Sequence, residues 1–197
     1  MSEKIDEILK YGREFGFPLI KDDAVHLLIA KVKEFKPKRI LEIGTAIGYS
    51  GSQMLDAYSG STLVTLEKNS ESATIAVNNF EKLGLNKRVQ VINCDAKAYL
   101  DSCNEKFDFI FLDGPKGQYL HYLEQLINLL NNGGVLFADN VLFRGYVNGG
   151  VEYPHKFKTI VTNLRQFLEK IQIDDRLNTT IYEIGDGVSI SVKKEYK

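Results

Sequence analysis

Asp113 closes the run Phe111-Leu112-Asp113-Gly114-Pro115-Lys116, and Asp139 and Asn140 close Phe137-Ala138-Asp139-Asn140. Each set follows an apolar run of strand character. Adjacent parallel strands would bring Asp113, Asp139 and Asn140 to one sheet edge. Three oxygen side chains without Cys or His favour a hard ion, Mg²⁺ first and Mn²⁺ or Ca²⁺ next. Either segment alone would be read as a turn acid, because Asp and Asn hydrogen-bond their own turn backbone.

A second constellation stands earlier, in Leu41-Glu42-Ile43-Gly44-Thr45-Ala46-Ile47-Gly48-Tyr49-Ser50. Gly44 and Gly48 permit close backbone approach to a ligand where a strand gives way to a helix. The spacing is not GxGxxG, so the pyrophosphate cradle of a nicotinamide dehydrogenase is not supported, and an adenosine ligand without phosphate fits better. Glu67 ends the next strand, where a carboxylate can accept from two ribose hydroxyls. Asp95 follows the third strand, within reach of an adenine amino group. Alone, each acid would be a helix cap or a solvated carboxylate. Three such features at consecutive strand ends point to one ligand.

The elements that must position these residues alternate. Helical spacing in residues 1–36, broken at Gly16-Phe17-Pro18, predicts an N-terminal helical cap. Strands are expected at 39–44, 61–67, 88–92, 107–112 and 134–138, with helices at 50–58, 70–83, 96–102 and 118–130 between them. Such alternation argues for a parallel sheet covered on both faces. A loop from Asn140 to Pro154 and a helix at 156–171 precede strands at 178–183 and 188–193. Gly185-Asp186-Gly187 is too short for a parallel crossover, so these last two strands form an antiparallel hairpin. The fold class expected is α/β, doubly wound, with a mostly parallel seven-stranded sheet and an antiparallel C-terminal hairpin.

The chain has 197 residues, the length of one domain over 1–197. Hydrophobic residues make up 44% and charged residues 26%, as in soluble globular proteins. Twenty-five Lys plus Arg against 26 Asp plus Glu give a net charge of −1, which excludes a uniformly basic coat. Cys94 and Cys103 form no CxxC, so neither a disulfide framework nor a zinc ribbon is supported. The charged start MSEKIDEILK lacks a secretory leader and no long apolar run follows, so a cytoplasmic protein outside the membrane is expected.

With these residues in view, the chain resembles the metal-dependent class I O-methyltransferases that include catechol and caffeoyl-CoA methyltransferases. Within that group it is most similar to bacterial tRNA 5-hydroxyuridine methyltransferases, through ILEIGTAIGYS at 40–50, KGQY at 116–119, ADNVLFRG at 138–145 and GDGVSISVKK at 185–194. The resemblance covers nearly the whole chain and implies a Rossmann-like methyltransferase sheet. It implies S-adenosylmethionine (SAM) against Glu42, Gly44, Tyr49, Ser50, Glu67, Asp95 and Asp113. It implies metal on Asp113, Asp139 and Asn140, Lys116 beside the reacting oxygen, and Tyr119 toward the substrate. Asp113-Gly114-Pro115-Lys116 departs from the Asp-Ala-x-Lys of bacterial members, and its proline stiffens the loop that carries Lys116.

The reaction implied is transfer of a methyl group from SAM to a hydroxyl beside a second oxygen: the 5-hydroxyl and 4-carbonyl of 5-hydroxyuridine in tRNA, or the hydroxyl pair of a small catechol. Arg144, four residues beyond Asn140, could meet substrate phosphate or stack on a base. At a net charge of −1, RNA affinity must come from a local patch or from a homodimer that joins two patches. Lys193, Lys194 and Lys197 are a basic end read as a solvated tail. His26, His121 and His155 share no ligand spacing, and Cys94 is read as a small buried hydrophobe. A noncatalytic SAM- or RNA-binding module is the reading from another class. Intact Asp113, Lys116, Asp139 and Asn140 weigh against it, since binding SAM needs none of Lys116, Asp139 and Asn140.

Overall fold

Apolar β-forming runs such as Arg39-Ile-Leu-Glu-Ile43 and Phe107-Asp-Phe-Ile-Phe-Leu112 have no solvated face, which suits strands covered on both sides. In the computed structural model, which describes residues 1–149 and 151–195, they lie at the centre of one sheet. Gly150 and Lys197, which fall in the predicted loop and basic tail, lie outside the described residues. The strands are β1 (Arg39–Ile43), β2 (Thr62–Glu67), β3 (Val89–Asn93), β4 (Phe107–Leu112), β5 (Leu130–Asp139), β6 (Leu177–Tyr182) and β7 (Val188–Lys193), in the order β3-β2-β1-β4-β5-β7-β6. Pairs among β1 to β5 are parallel, while β7 runs antiparallel to both β5 and β6. The seven-stranded sheet and its antiparallel closing hairpin are those expected from the sequence.

The helices are α1 (Ser2–Glu14), α2 (Asp22–Phe35), α3 (Tyr49–Ala57), α4 (Ser70–Lys82), α5 (Ala96–Ser102), α6 (Tyr119–Leu129) and α7 (Lys158–Ile173). Period-two alternation in the strands divides the core. Ile40, Phe109 and Phe137 meet Leu28, Met54 and Phe80 on one face, and Leu41, Ile110 and Leu136 meet Leu126, Leu164 and Phe167 on the other. Local chemistry fixes the helix starts: Asn69 accepts from the Ser72 N–H at 2.8 Å to open α4, and Asp95 accepts from the Lys97 N–H at 2.9 Å to open α5.

One boundary differs in kind from expectation. Asn131-Asn132-Gly133, left between the expected helix at 118–130 and strand at 134–138, belongs to β5, whose register against β4 shifts between Phe107 and Phe109. Tertiary contacts hold this irregular start. The Asn131 amide donates to Asp108 Oδ1 at 2.8 Å, while Asp108 Oδ2 accepts from the Lys38 and Arg39 N–H groups at 2.9 and 3.0 Å. Lys193 is a second correction, because its Nζ donates to the Ile127 and Leu130 carbonyls at 2.8 Å, so it ties β7 to the end of α6 instead of joining a solvated tail. Among the described residues no helix is long and apolar enough to cross a membrane.

A candidate active site at the strand ends

The carboxyl ends of β1, β2 and β4 open onto a cavity of about 600 Å³. Gly44, Glu67, Asp95, Asp113 and Lys116 line it together, and Pro18 from the α1–α2 linker and Tyr122 from α6 wall it in. Gly44 has a reason to be glycine. Its φ is +102° and a Cβ there would stand 2.3 Å from the Asp113 carbonyl oxygen, so strand end and loop meet backbone to backbone.

Glu67 is held by backbone on both oxygens, from the Ala46 N–H and the Asn69 N–H, each at 2.8 Å. A carboxylate has about four lone-pair sites, so capacity remains for two ligand hydroxyls. Asp95 accepts from the Lys97 N–H and pairs with Lys68 Nζ at 2.9 Å; those hydrogen bonds, Lys68 foremost, hold its carboxyl below the usual range.

Leu112 and Ala138 are partners in the β4–β5 register, so Asp113 and Asp139 follow at adjacent strand ends. Burial raises the pKa of Asp113, opposed by Lys116, whose Nζ lies 3.1 Å from Asp113 Oδ1. Burial, then the charge of Asp113, pushes Asp139 up to about 7. Asp139 Oδ1 accepts from the Asn140 N–H at 2.7 Å, but its Oδ2 is buried and has no hydrogen-bond partner among the described residues. A buried acceptor left this way is costly. Among the described residues no three His, Cys, Asp or Glu side chains converge, so the Asn140 amide would complete an oxygen set. Two carboxylates with raised pKa values, one of them with an orphaned oxygen, fit a hard divalent ion.

Glu42 lies in the core and does not line the cavity. It is fully buried between β1 and α3, accepting from Ser50 Oγ on one oxygen and from Thr65 Oγ1 at 2.6 Å on the other. Ser50 is thereby committed to Glu42. Burial raises Glu42 from the ordinary 4.5 to about 7, against the two hydroxyl bonds that lower it. The folded protein therefore keeps a proton that the unfolded chain loses above pH 4.5, and this contribution to stability, full below that pH, is lost as pH rises through about 7. Glu42→Gln should flatten the fall in urea midpoint across that window, by an amount on the order of 3 kcal/mol at most. An unchanged slope would show that Glu42 is ionised in the fold at all these pH values.

Two tyrosines expected at the ligand are placed elsewhere. Tyr119 is fully buried, its hydroxyl donating to the Leu112 and Asp139 carbonyls at 3.2 and 3.1 Å, so it ties the ends of β4 and β5 together and presents nothing to a substrate. Tyr49 is buried in the cluster under α1 and α2, where its hydroxyl accepts from the Gln53 amide at 3.3 Å. Tyr122, one helical turn after Tyr119, lines the cavity instead. The i, i+3 spacing is a legible signal for it, but which of two buried tyrosines reaches the cavity depends on helix rotation. Cys94 also lines the cavity and is half-buried. Arg144 is exposed outside the cavity, and the three histidines are exposed.

A family model described as O-methyltransferase matches residues 15–194. A caffeoyl-CoA O-methyltransferase from Populus kitakamiensis is 31% identical over 189 residues, which cover 92% of this chain and 80% of that protein. The crystal structure of an O-methyltransferase from Bacillus cereus in complex with SAH superposes with a TM-score of 0.85 at 30% identity, over 98% of this chain and 91% of the other. The SAH-bound methyltransferase PaMTH1 of Podospora anserina gives a TM-score of 0.87 at 26% identity, over 98% and 88%.

Proposed function

The chain belongs to the O-methyltransferase family and is a SAM-dependent O-methyltransferase, and from that premise we propose that it methylates, with a divalent ion, the 5-hydroxyl of 5-hydroxyuridine in tRNA. The acid pair Asp113–Asp139 at adjacent strand ends, with the buried Asp139 Oδ2 left without a hydrogen-bond partner among the described residues, carries the metal part of this reading. The motif through Arg144 supports the RNA part. Residues 1–197 act as one domain, in a cytoplasmic homodimer that brings two substrate patches together.

In this mechanism Gly44 lets the ends of β1 and β4 meet at the floor of the cofactor cavity, Glu67 accepts from the ribose hydroxyls and Asp95 from the adenine amino group. Asp113, Asp139 and the Asn140 amide would hold Mg²⁺, Mn²⁺ or Ca²⁺. When bound, such an ion lowers the pKa of a chelated hydroxyl and orients it toward the methyl donor. Lys116, fixed by Asp113 at 3.1 Å, would hold its ammonium beside the reacting oxygen and stabilise the oxyanion left when the hydroxyl's proton passes to solvent. Pro18 and Tyr122 exclude water from the cofactor side. Glu42, Ser50 and Tyr119 act through position, by fixing the backbone from which Gly44, Asp113 and Asp139 start.

Glu67→Ala should weaken binding of S-adenosylhomocysteine about 10- to 100-fold by calorimetry, since a hydrogen bond to a charged group is worth about 1.5–3 kcal/mol. Wild-type affinity in that variant would remove Glu67 from the ribose site. The substrate is tested by nucleoside mass spectrometry of 5-hydroxyuridine tRNA before and after treatment with enzyme, SAM and Mg²⁺. Appearance of 5-methoxyuridine, reduced in Arg144→Ala with SAM affinity unchanged, is the expected result. A small catechol-like acceptor is the second reading, favoured by the Populus relative's name and by the net charge of −1. It takes over if such a molecule is methylated efficiently and tRNA is not.

A further inference from the structure

The segment that leaves Asn140 builds a surface separate from the cavity. The rings of Phe143, Tyr146, Tyr153 and Phe157 form a contiguous cluster with neighbouring centroids 5.3 to 6.0 Å apart. Each ring is half-buried, so each keeps part of its surface in solvent. Cations lie over them: Arg144 is 5.7 Å and Lys156 5.1 Å from the Phe157 centroid, and Arg165 is 5.9 Å from that of Tyr153. Between Phe143 and Lys158, Arg144, Lys156 and Lys158 face a single carboxylate, Glu152, in a chain whose net charge is −1. Arg144, Lys156 and Lys158 are all exposed.

The arrangement is braced. Leu142 and Phe143 N–H groups donate to the Asp186 carbonyl at 2.8 and 3.2 Å, and the Val141 N–H donates to the Gly187 carbonyl at 3.0 Å, so the β6–β7 turn grips the start of the loop. Arg165 grips its middle through the Val147 and Tyr146 carbonyls, both at 2.9 Å. Phe143 and Arg144 adopt φ of +39° and +59°, a region L-residues enter at a cost unless the surroundings impose it. The bracing hydrogen bonds offset that cost and hold a ring and a guanidinium side by side, three and four residues from Asn140.

Half-buried aromatic residues interleaved with exposed cations match a polymer of bases and phosphates, since single-stranded RNA is bound by stacking on aromatic side chains, with a cation–π contribution, within a positive groove. We propose that this surface is the RNA platform of the enzyme, stacking unpaired bases next to the target uridine on Phe157 and Tyr153 while Lys156 and Lys158 take the flanking phosphates. The proposal rests on the tRNA reading and names where that substrate is held. A small acceptor, reaching only the cavity, would use none of these four residues.

The test pairs charge reversal with ring removal: Lys156→Glu/Lys158→Glu, and Tyr153→Leu, which keeps an apolar side chain in the cluster. Anisotropy of a labelled tRNA anticodon stem-loop across salt concentrations and steady-state methylation of 5-hydroxyuridine tRNA are measured for both. The double variant should raise KM for tRNA about tenfold and flatten log affinity against log salt by about 0.7 for each phosphate it no longer neutralises, with kcat and SAM affinity unchanged. Tyr153→Leu should weaken binding about tenfold with the salt slope unchanged, because stacking releases no counterions. If wild type methylates tRNA and both variants match it in KM and slope, the platform is refuted and the tRNA reading stands. If wild type leaves tRNA unmethylated, or free coenzyme A displaces the stem-loop from the same residues, the RNA assignment of this surface is refuted.

Discussion

Asp139→Ala should lose methyl transfer by about a hundredfold or more in kcat, since even the partners that only orient a metal ligand are worth about 10- to 100-fold. Binding of S-adenosylhomocysteine should be unchanged, because Asp139 does not line the cavity where Gly44, Glu67 and Asp95 stand. The same substitution removes a buried carboxylate raised to about 7, with one oxygen unpartnered among the described residues, so thermal stability in the absence of metal should hold or rise. Activity and stability thus move in opposite directions, which a merely misfolded variant cannot imitate. Chelation of wild type should give the same loss, and added Mg²⁺ or Mn²⁺ should restore activity to wild type and not to the variant. Full turnover in excess EDTA would sink the metal assignment.

Gly44→Ala has the largest expected effect on the fold of the site. A φ of +102° costs a non-glycine residue about 1–3 kcal/mol, and forcing an added methyl into a packed place costs a similar amount. The obstacle is backbone: the new Cβ would stand 2.3 Å from the Asp113 carbonyl oxygen and 2.9 Å from its carbon, so no side chain can rotate away. Relief requires that the ends of β1 and β4 part, which moves Asp113 and the turn that holds Glu67 through Ala46. Both stability and cofactor affinity should therefore fall. Gly84→Ala supplies the comparison, because its φ is +70° but nothing lies within 4 Å of the added Cβ, so it carries the conformational cost alone. Equal melting temperatures for the two variants would refute the close approach at Gly44.

Much of this is legible in the residues themselves. Strand-helix alternation, the apolar strands, the turn at Gly44 and the hairpin at Gly185-Asp186-Gly187 are set by short-range preferences and by period, and these survive folding unchanged. Strand ends follow from strands, so Asp113 and Asp139 at one edge, and Gly44, Glu67, Asp95 and Lys116 around one cavity, follow from the chain alone. The side chains that the sequence cannot place are those whose fate is decided across the sheet. Glu42 sits in a glycine-turn motif that suggests a ligand, yet its strand position turns it into the core, where Ser50 and Thr65 satisfy it. Tyr119 and Tyr122 share a helix and are both buried, and only the packing of α6 against β4 and β5 decides which of them lines the cavity. Residues 131–133 have the composition of a loop, but Asp108 holds Asn131 in the start of β5, and Lys193 is drawn inward by carbonyls more than sixty residues away. The aromatic and cationic cluster beyond Asn140 has no period, so it exists only once the β6–β7 turn and α7 meet the loop. Local sequence determines which backbone segments form and end; tertiary structure decides which polar atoms are left to bind something else, because that depends on partners far apart along the chain.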